Sequence, residues 1–332
     1  MLIRSPRLFC LVLVLLVIMQ SSASRAQQTG RPFMLITWFG PGAIALPDDN
    51  AWKPELLTVY DKGARPVAQF STAHGNITAS FILFENGSGK PTAESCREDA
   101  ITPIVEQVAR TLSKREDGTI KTDNAVDLAT TSYQLAMSGS VRQHNLFGFA
   151  GNKTTCAEIH LSTVHDSAEY LQKMADILKA FHPDLTYRPD AIDYFRLASR
   201  LFKQSPDLAA PYYKSSLDAM PPTDAYKTPR RVATDQLVMA LGISGDLKNS
   251  RAVAELAIAS DPDYPINYYN LACADAEQGN AAQAKVHLQQ AFDRRANVLQ
   301  GEQMPDPTKD DSILKLKKDK EFWAFVQSLP TK

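Results

Sequence analysis

Arg231–Tyr264 reads RVATDQLVMALGISGDLKNSRAVAELAIASDPDY, and Pro265–Val298 reads PINYYNLACADAEQGNAAQAKVHLQQAFDRRANV. Set one above the other at an offset of 34, Leu237 meets Leu271, Ala240 meets Ala274, Gly245 meets Gly279 and Asp246 meets Asn280. Further on, Ala257 meets Ala291 and Ile258 meets Phe292. Each match has a physical use. Leucine and small residues of a first helix fill its seam with a second, and the shared alanine lets neighbouring helices approach. Gly-Asp or Gly-Asn closes the hairpin between them, because glycine accepts a left-handed backbone that most residues resist. Asp261-Pro262 ends the second helix of the first unit, since proline cannot continue it. A period of this length marks stacked helical hairpins.

Tyr268-Tyr269-Asn270-Leu271-Ala272 opens its unit much as tetratricopeptide (TPR) repeats do, and the two units resemble that family. An earlier unit is expected over Ala191–Asp218, where Leu197-Ala198, Leu201, Ala209, Tyr213 and Leu217 follow the pattern with one residue missing at Ser205-Pro206-Asp207. A longer connection containing Pro221-Pro222 follows it. Asp311–Leu329 is expected to form two short helices whose Ile313, Leu316, Phe322, Phe325 and Val326 cap the stack. The stretch Val253–Phe325, with Tyr264-Pro265, Ala272-Cys273, Gly301-Glu302 and Pro305-Asp306-Pro307, resembles exported bacterial TPR proteins of uncharacterised type.

Upstream, Phe33–Phe181 mixes two periods. Pro66–Ser71 and Ile77–Phe84 are rich in β-formers and flank the turn His74-Gly75-Asn76, which predicts a hairpin. Further strands are expected around Thr131–Ala136, Leu146–Ala150 and Thr155–Ser162, with a turn at Gly151-Asn152. Cys96–Leu112 has helical spacing and runs into the polar stretch Ser113–Gly118. Ala168–Phe181 is amphipathic, with Leu171, Met174, Ile177, Leu178 and Phe181 on one face. Grouped strands flanked by two helices predict an α+β sandwich built on an antiparallel sheet, followed by an all-α stack of TPR-type hairpins. The element order and Cys156-Ala157-Glu158-Ile159-His160-Leu161-Ser162 are similar to the PsbP-like sandwich, a resemblance that implies a binding module of varied use. The expected organisation is a signal peptide over 1–26, the sandwich over 27–187 and the helical domain over 188–332.

Export is read from the first residues. Arg4 and Arg7 precede the apolar run Leu8–Met19, and small residues follow as far as Ala26. Twelve apolar residues span about 18 Å as a helix, short of a ~30 Å hydrocarbon core. Cleavage is expected near Ala23 or Ala26, giving a periplasmic or secreted protein; membrane association is expected only if the segment stays uncleaved. Loss of Arg4, Arg7 and Arg25 leaves 33 basic residues of 36 against 37 acidic ones, a net charge near −4. That argues against a nucleic-acid partner, which needs a concentrated basic surface. Lys315, Lys317, Lys318 and Lys320 read as the solvated face of a closing helix. In an oxidising compartment Cys96 and Cys156 are expected to form a disulfide, the alternative being two buried thiols. Cys273 falls inside a repeat.

No metal or cofactor is expected. His160 and His165, five apart in a strand-to-loop segment, fit no recognised ligand spacing, and His160 reads as a strand histidine at the domain surface. Gly87-Ser88-Gly89 and Gly139-Ser140 lack the context of a nucleophile elbow or phosphate loop. The expected role is therefore non-catalytic protein or peptide binding by a scaffold. Its groove candidates are Phe195, Ser199 and Phe202 in the early unit, Asp235, Met239 and Ile243 in the middle unit, and Tyr269, Cys273, Ala276 and Glu277 in the last. Several of these could instead pack against the sandwich or the cap. The Lys/Asn/Arg clamp that some TPR proteins use for acidic C-termini is replaced by Asp235-Gln236 and Tyr269-Asn270. The alternatives are a small-ligand or lipid-binding sandwich and a hydrolase whose residues converge from distant positions.

Overall fold

The computed structural model describes residues 33–37, 40–47, 54–61, 66–74, 76–203 and 205–330; the expected signal peptide lies outside them. The chain divides into two compact units, Arg31–Gln204 and Ser205–Lys332.

The first unit carries two antiparallel sheets. A small one has the order β1-β2-β10, from Phe33–Thr37, Ala43–Pro47 and His182–Asp184. The large one has seven strands: β3 (Pro54–Asp61), β4 (Pro66–His74), β5 (Ile77–Glu85), β6 (Leu112–Lys121), β7 (Asp127–Ala136), β8 (Arg142–Gly151) and β9 (Thr155–Thr163). Their order is β3-β4-β5-β9-β8-β7-β6. The hairpin read around residues 74–76 is present, with His74 opposite Ile77. Side chains alternate across the pleat, so each face receives one helix. On one, Cys96 and Ile101 of α1 (Ala93–Val108) pack against Tyr133, Phe147 and Phe149. On the other, Met174 and Leu178 of α2 (Ala168–Lys179) are buried, and only a glycine at position 148 leaves room for the Leu178 side chain. The Cys96–Cys156 disulfide is formed and fastens α1 to β9. A sheet covered by helices on both faces is the α+β arrangement expected.

One strand was hidden. Leu112–Lys121 (LSKREDGTIK) reads as a polar helix end, yet it is the edge strand β6, paired only with β7. Its side chains are mostly exposed, so no apolar alternation is required of it, and its charges guard an open sheet edge.

α3 (Ala191–Phe202) packs on β1 and belongs to the first unit. It starts in a capping box, in which the Asp190 side chain accepts from the N–H of Asp193 while the Asp193 carboxylate accepts from the N–H of Asp190. The division at 204/205 comes later than the boundary expected at 187/188, and the early repeat read over Ala191–Asp218 straddles it.

The second unit is helical: α4 (Pro206–Asp218), α5 (Lys227–Ile243), α6 (Leu247–Ser260), α7 (Pro265–Glu277), α8 (Ala281–Asp293), α9 (Asp311–Leu314) and α10 (Lys320–Ser328). The 34-residue period reappears in its hydrogen bonds. Asp246 N–H donates to Leu241 O and Asn280 N–H to Asp275 O; Gly245 N–H donates to Gly242 O and Gly279 N–H to Ala276 O. Gly245 and Gly279 hold φ of 85° and 75°, the left-handed region that ends a helix. Asp246 and Asn280 then cap α6 and α8, each accepting a backbone N–H three residues on at 3.2 Å. Ala254 and Leu288, also 34 apart, are fully buried.

Candidate functional site

α5 and α7 are the first helices of the two repeats and lie side by side. At their N-terminal end Arg231 grips Asp261 through two hydrogen bonds of 2.6 and 3.0 Å and lies over the Tyr264 ring. One helical turn on, Asp235 is buried and accepts from Asn270 Nδ2 at 2.9 Å and from Gln236 Nε2 at 3.4 Å. Burial pushes the Asp235 carboxyl up to about 6, Asn270 opposes the shift, and the nearby Glu302 carboxylate adds to it.

Glu302 comes from neither helix. Beyond α8 the chain turns back on Arg294 and Asn297, which donate to the carbonyls of Pro262 and Asp263. It then follows α7 from start to end. Tyr264 Oη donates to Glu302 Oε1 at 2.7 Å, and Glu302 Oε2 accepts from the Leu299 N–H at 2.8 Å. Met304 packs into the cluster formed by Tyr269, Ala276, Ile313 and Leu316. Cys273 Sγ lies 3.7 Å from Asp310 Oδ1, and Glu277 accepts from Ser312 Oγ at 2.7 Å and from Lys315 Nζ. Burial raises the Cys273 thiol well above its ordinary value, and the Asp310 charge adds to that. Burial would also raise Glu277, but Lys315 and Ser312 override it and hold the carboxyl below the usual range.

The groove candidates therefore fall into three sets. Tyr269, Cys273 and Glu277 share one face of α7, and the chain's own residues 299–316 cover them, the packing against the cap that the sequence left open. Asp235 is buried in the same place, while Met239 is half-buried and Ile243 is exposed. Phe195, Ser199 and Phe202 sit on α3, in the other unit. What the sequence did not reveal is the partner of Tyr264. A signal existed in Pro305-Asp306-Pro307, where two prolines bar a helix and leave the chain to run as an irregular strap.

In the first unit His160 is half-buried, the one residue of β9 that is not buried. It stacks on Phe147 at 4.0 Å, its Nε2 lies 3.0 Å from Asn145 Oδ1, and burial pushes its pKa down to about 4. Its strand neighbour across the pair is aromatic, a pairing that only the register reveals. His165 stacks instead on Tyr170. On the face that holds His160, Tyr133 is pushed up to about 12 by burial and then by the Glu158 charge. Near the N-terminus of α1 an open depression of about 740 Å³ is lined by Thr92, Lys121, Asp127, Leu128 and Leu185 among others. No group of three His, Cys, Asp or Glu among the described residues could hold a metal ion.

No family model and no curated protein matches the sequence. Among solved structures the chain is similar to the TPR domain of Sgt2 from Aspergillus fumigatus, at 17% identity and a TM-score of 0.31, over 44% of this chain and 88% of that one. It is also similar to CyanoP, the PsbP of Synechocystis sp. PCC 6803, at 16% identity and a TM-score of 0.33, over 45% of this chain and 91% of that one. Likenesses at this level carry no argument about function.

Proposed function

We propose that this protein is an exported, non-catalytic scaffold of TPR type, whose α5–α7 groove holds a polypeptide segment of a protein partner. One observation carries this reading. The groove already seats a polypeptide, with side chains docked at Tyr264, Cys273 and Glu277 along the length of α7. The repeated Gly-Asp and Gly-Asn caps support the TPR assignment, and the basic, apolar and small segments of residues 1–26 support export.

The test is an affinity capture from envelope extract with the full chain and with Met239→Glu/Ile243→Glu, which alters the accessible end of the groove. A partner retained by the wild type and lost by the folded variant is expected. Identical partners for both would sink the groove as the functional surface. The depression beside α1 favours a second reading, a small-ligand site in the sandwich. Native mass spectrometry of the purified chain would show that ligand as an added mass.

A further inference from the structure

Strand β6 ends the seven-stranded sheet, and among the described strands it pairs only with β7. A bulge between Ser113 and Glu116, with Lys114 at a φ of 51°, breaks the first part of this edge. From Glu116 to Lys121 the register with β7 is regular, and the edge is straight. The turn that follows fixes the direction of its backbone groups. Thr122 N–H donates to Val126 O at 2.9 Å, on the β7 side. Backbone groups point to alternate sides along a strand, so the N–H and C=O of Asp117, Thr119 and Lys121 point away from β7. All three residues are exposed, and their side chains share one face with those of Thr131, Ala129 and Asp127 across the pair.

An open edge of this kind is a template for another strand, and its charges decide which one. Two copies of one strand pair antiparallel about a twofold axis that sets one residue opposite its own counterpart, because opposed residues share a face. Centring the axis on Glu116, Asp117 or Lys121 sets like charges together, and centring it on Gly118 or Ile120 sets Asp117 or Lys121 against Thr119. Centring it on Thr119 sets each Asp117 against a Lys121, while Gly118 leaves room for the Ile120 opposite it. Within one copy Lys121 already meets Asp127 at 3.3 Å, and Asp117 meets Arg115 at 2.9 Å and accepts from Thr131 Oγ1 at 2.6 Å. The Thr119 register therefore lengthens an existing row of alternating sign, from Asp127 through Lys121 to the Asp117 of a second copy.

We propose that β6 is a homodimerisation edge, on which a second copy of this chain pairs antiparallel about Thr119 and continues the sheet. The pairing adds two backbone hydrogen bonds at each opposed pair of outward-facing residues. One strand pair buries less surface than a standard interface, so the dimer is weak and forms as concentration rises. The same charges that repel unrelated strands accept this one.

The register supplies the test. In a hydrogen-bonded pair the two Thr119 Cα atoms lie about 5.5 Å apart, within disulfide reach, whereas the two Lys121 Cα atoms lie about 14 Å apart. Thr119→Cys and Lys121→Cys are made in the full chain and oxidised mildly, and the linked peptides are identified by mass spectrometry. Dimer is expected to form at least about tenfold faster from Thr119→Cys. Equal rates would overturn the register. In sedimentation velocity, Asp117→Lys sets lysine against lysine and should raise the dimer dissociation constant about tenfold, and Asp117→Lys/Lys121→Asp should restore it. A double variant as weak as the single one would overturn the charge matching. If Asp117→Lys loses its fold with the Thr131 contact, Lys121→Asp, at the more exposed of the two positions, sets carboxylate against carboxylate and is read in the same way. A wild type that stays monomeric up to its solubility limit would overturn the dimer itself.

Discussion

The two units solve the same problem, burying apolar surface on a chain, at opposite sequence ranges. In the first, β5 pairs with β9 across a long excursion that contains α1 and three further strands, and a disulfide spanning 60 residues fastens the helix to the sheet. In the second, each helix from α4 to α8 packs on the next, α9 returns to α7 and α10 to α8, and the ties between helices span fewer residues. Arg231 reaches Asp261, and Asp275 on α7 is held by Arg251 of α6 and by His287 of α8 at 2.6 Å. The first unit therefore depends on a few long-range closures, and the second on many local ones. Losing one closure should cost the first unit far more than losing one cap costs the second.

The largest expected effect follows from the disulfide. Releasing it restores the freedom of a 60-residue loop to the unfolded chain, worth about 4 kcal/mol on the loop-entropy account. Cys96→Ser/Cys156→Ser should lower the hydrogen-exchange protection of residues 77–163 by that amount and leave residues 227–293 unchanged. An equal loss in both regions would mean that the two units do not fold independently.

Acid and base should move the units in opposite directions. The His160 pKa falls from 6.5 to about 4 in the folded chain, so its neutral form is favoured there. Its contribution to stability is full above the unfolded value and is lost as pH falls from 6.5 towards 4. The Asp235 value rises from 3.8 to about 6, so its contribution is full below 3.8 and is lost as pH rises through 6. Each contribution is worth about 3 kcal/mol at most. The clean measurement is a difference. Asp235→Asn should stabilise the helical unit over wild type at pH 7 and lose that advantage at pH 4, whereas His160→Gln should flatten the response of the sandwich to acid. A gap between Asp235→Asn and wild type that stays constant with pH would show that the carboxyl is not held protonated.

A third, smaller effect tests how closely α1 sits on the sheet. A methyl at position 151 would come within 2.5 Å of the Thr92 carbonyl oxygen and 2.6 Å of Cys96 Sγ, both fixed by the helix start and the disulfide. Gly151→Ala should cost about 2 kcal/mol in thermal or denaturant unfolding. A neutral result would mean that the N-terminus of α1 can move without penalty.

The same contrast explains what the sequence disclosed. The hairpin of α7 and α8 is written in adjacent residues, so its turn, cap and seam were legible from Gly279, Asn280, Leu271 and Ala274. The edge strand β6 was not, because its order comes from backbone bonds to β7 while its own side chains face solvent. Tyr269, Cys273 and Glu277 recur every four residues and so share one face of α7. What covers that face was not legible, because a strap without periodicity announces no contact, and the pairing of Glu302 with Tyr264 spans 38 residues.

The smallest effect is the sharpest test of the repeat itself. If the helical unit is built from equivalent modules, equivalent positions should carry equivalent energies. Asp246 and Asn280 each cap the second helix of a hairpin with one backbone hydrogen bond of 3.2 Å, Asp246 also accepting from Asn249 Nδ2 at 2.7 Å, and each follows a left-handed glycine. Asp246→Ala and Asn280→Ala should each cost about 1 kcal/mol. Gly245→Ala and Gly279→Ala should cost about 1 kcal/mol as well, through backbone strain alone, because an added methyl meets nothing within 4 Å at either site. The two caps differ in charge, so salt should weaken only Asp246, whose carboxylate also favours the positive end of α6. Urea titrations of the four variants, read by circular dichroism, would show matched losses if the modules are equivalent. A cap that costs nothing at one position while its counterpart costs a kcal/mol would mean that the shared period is a likeness of sequence that the energetics do not follow.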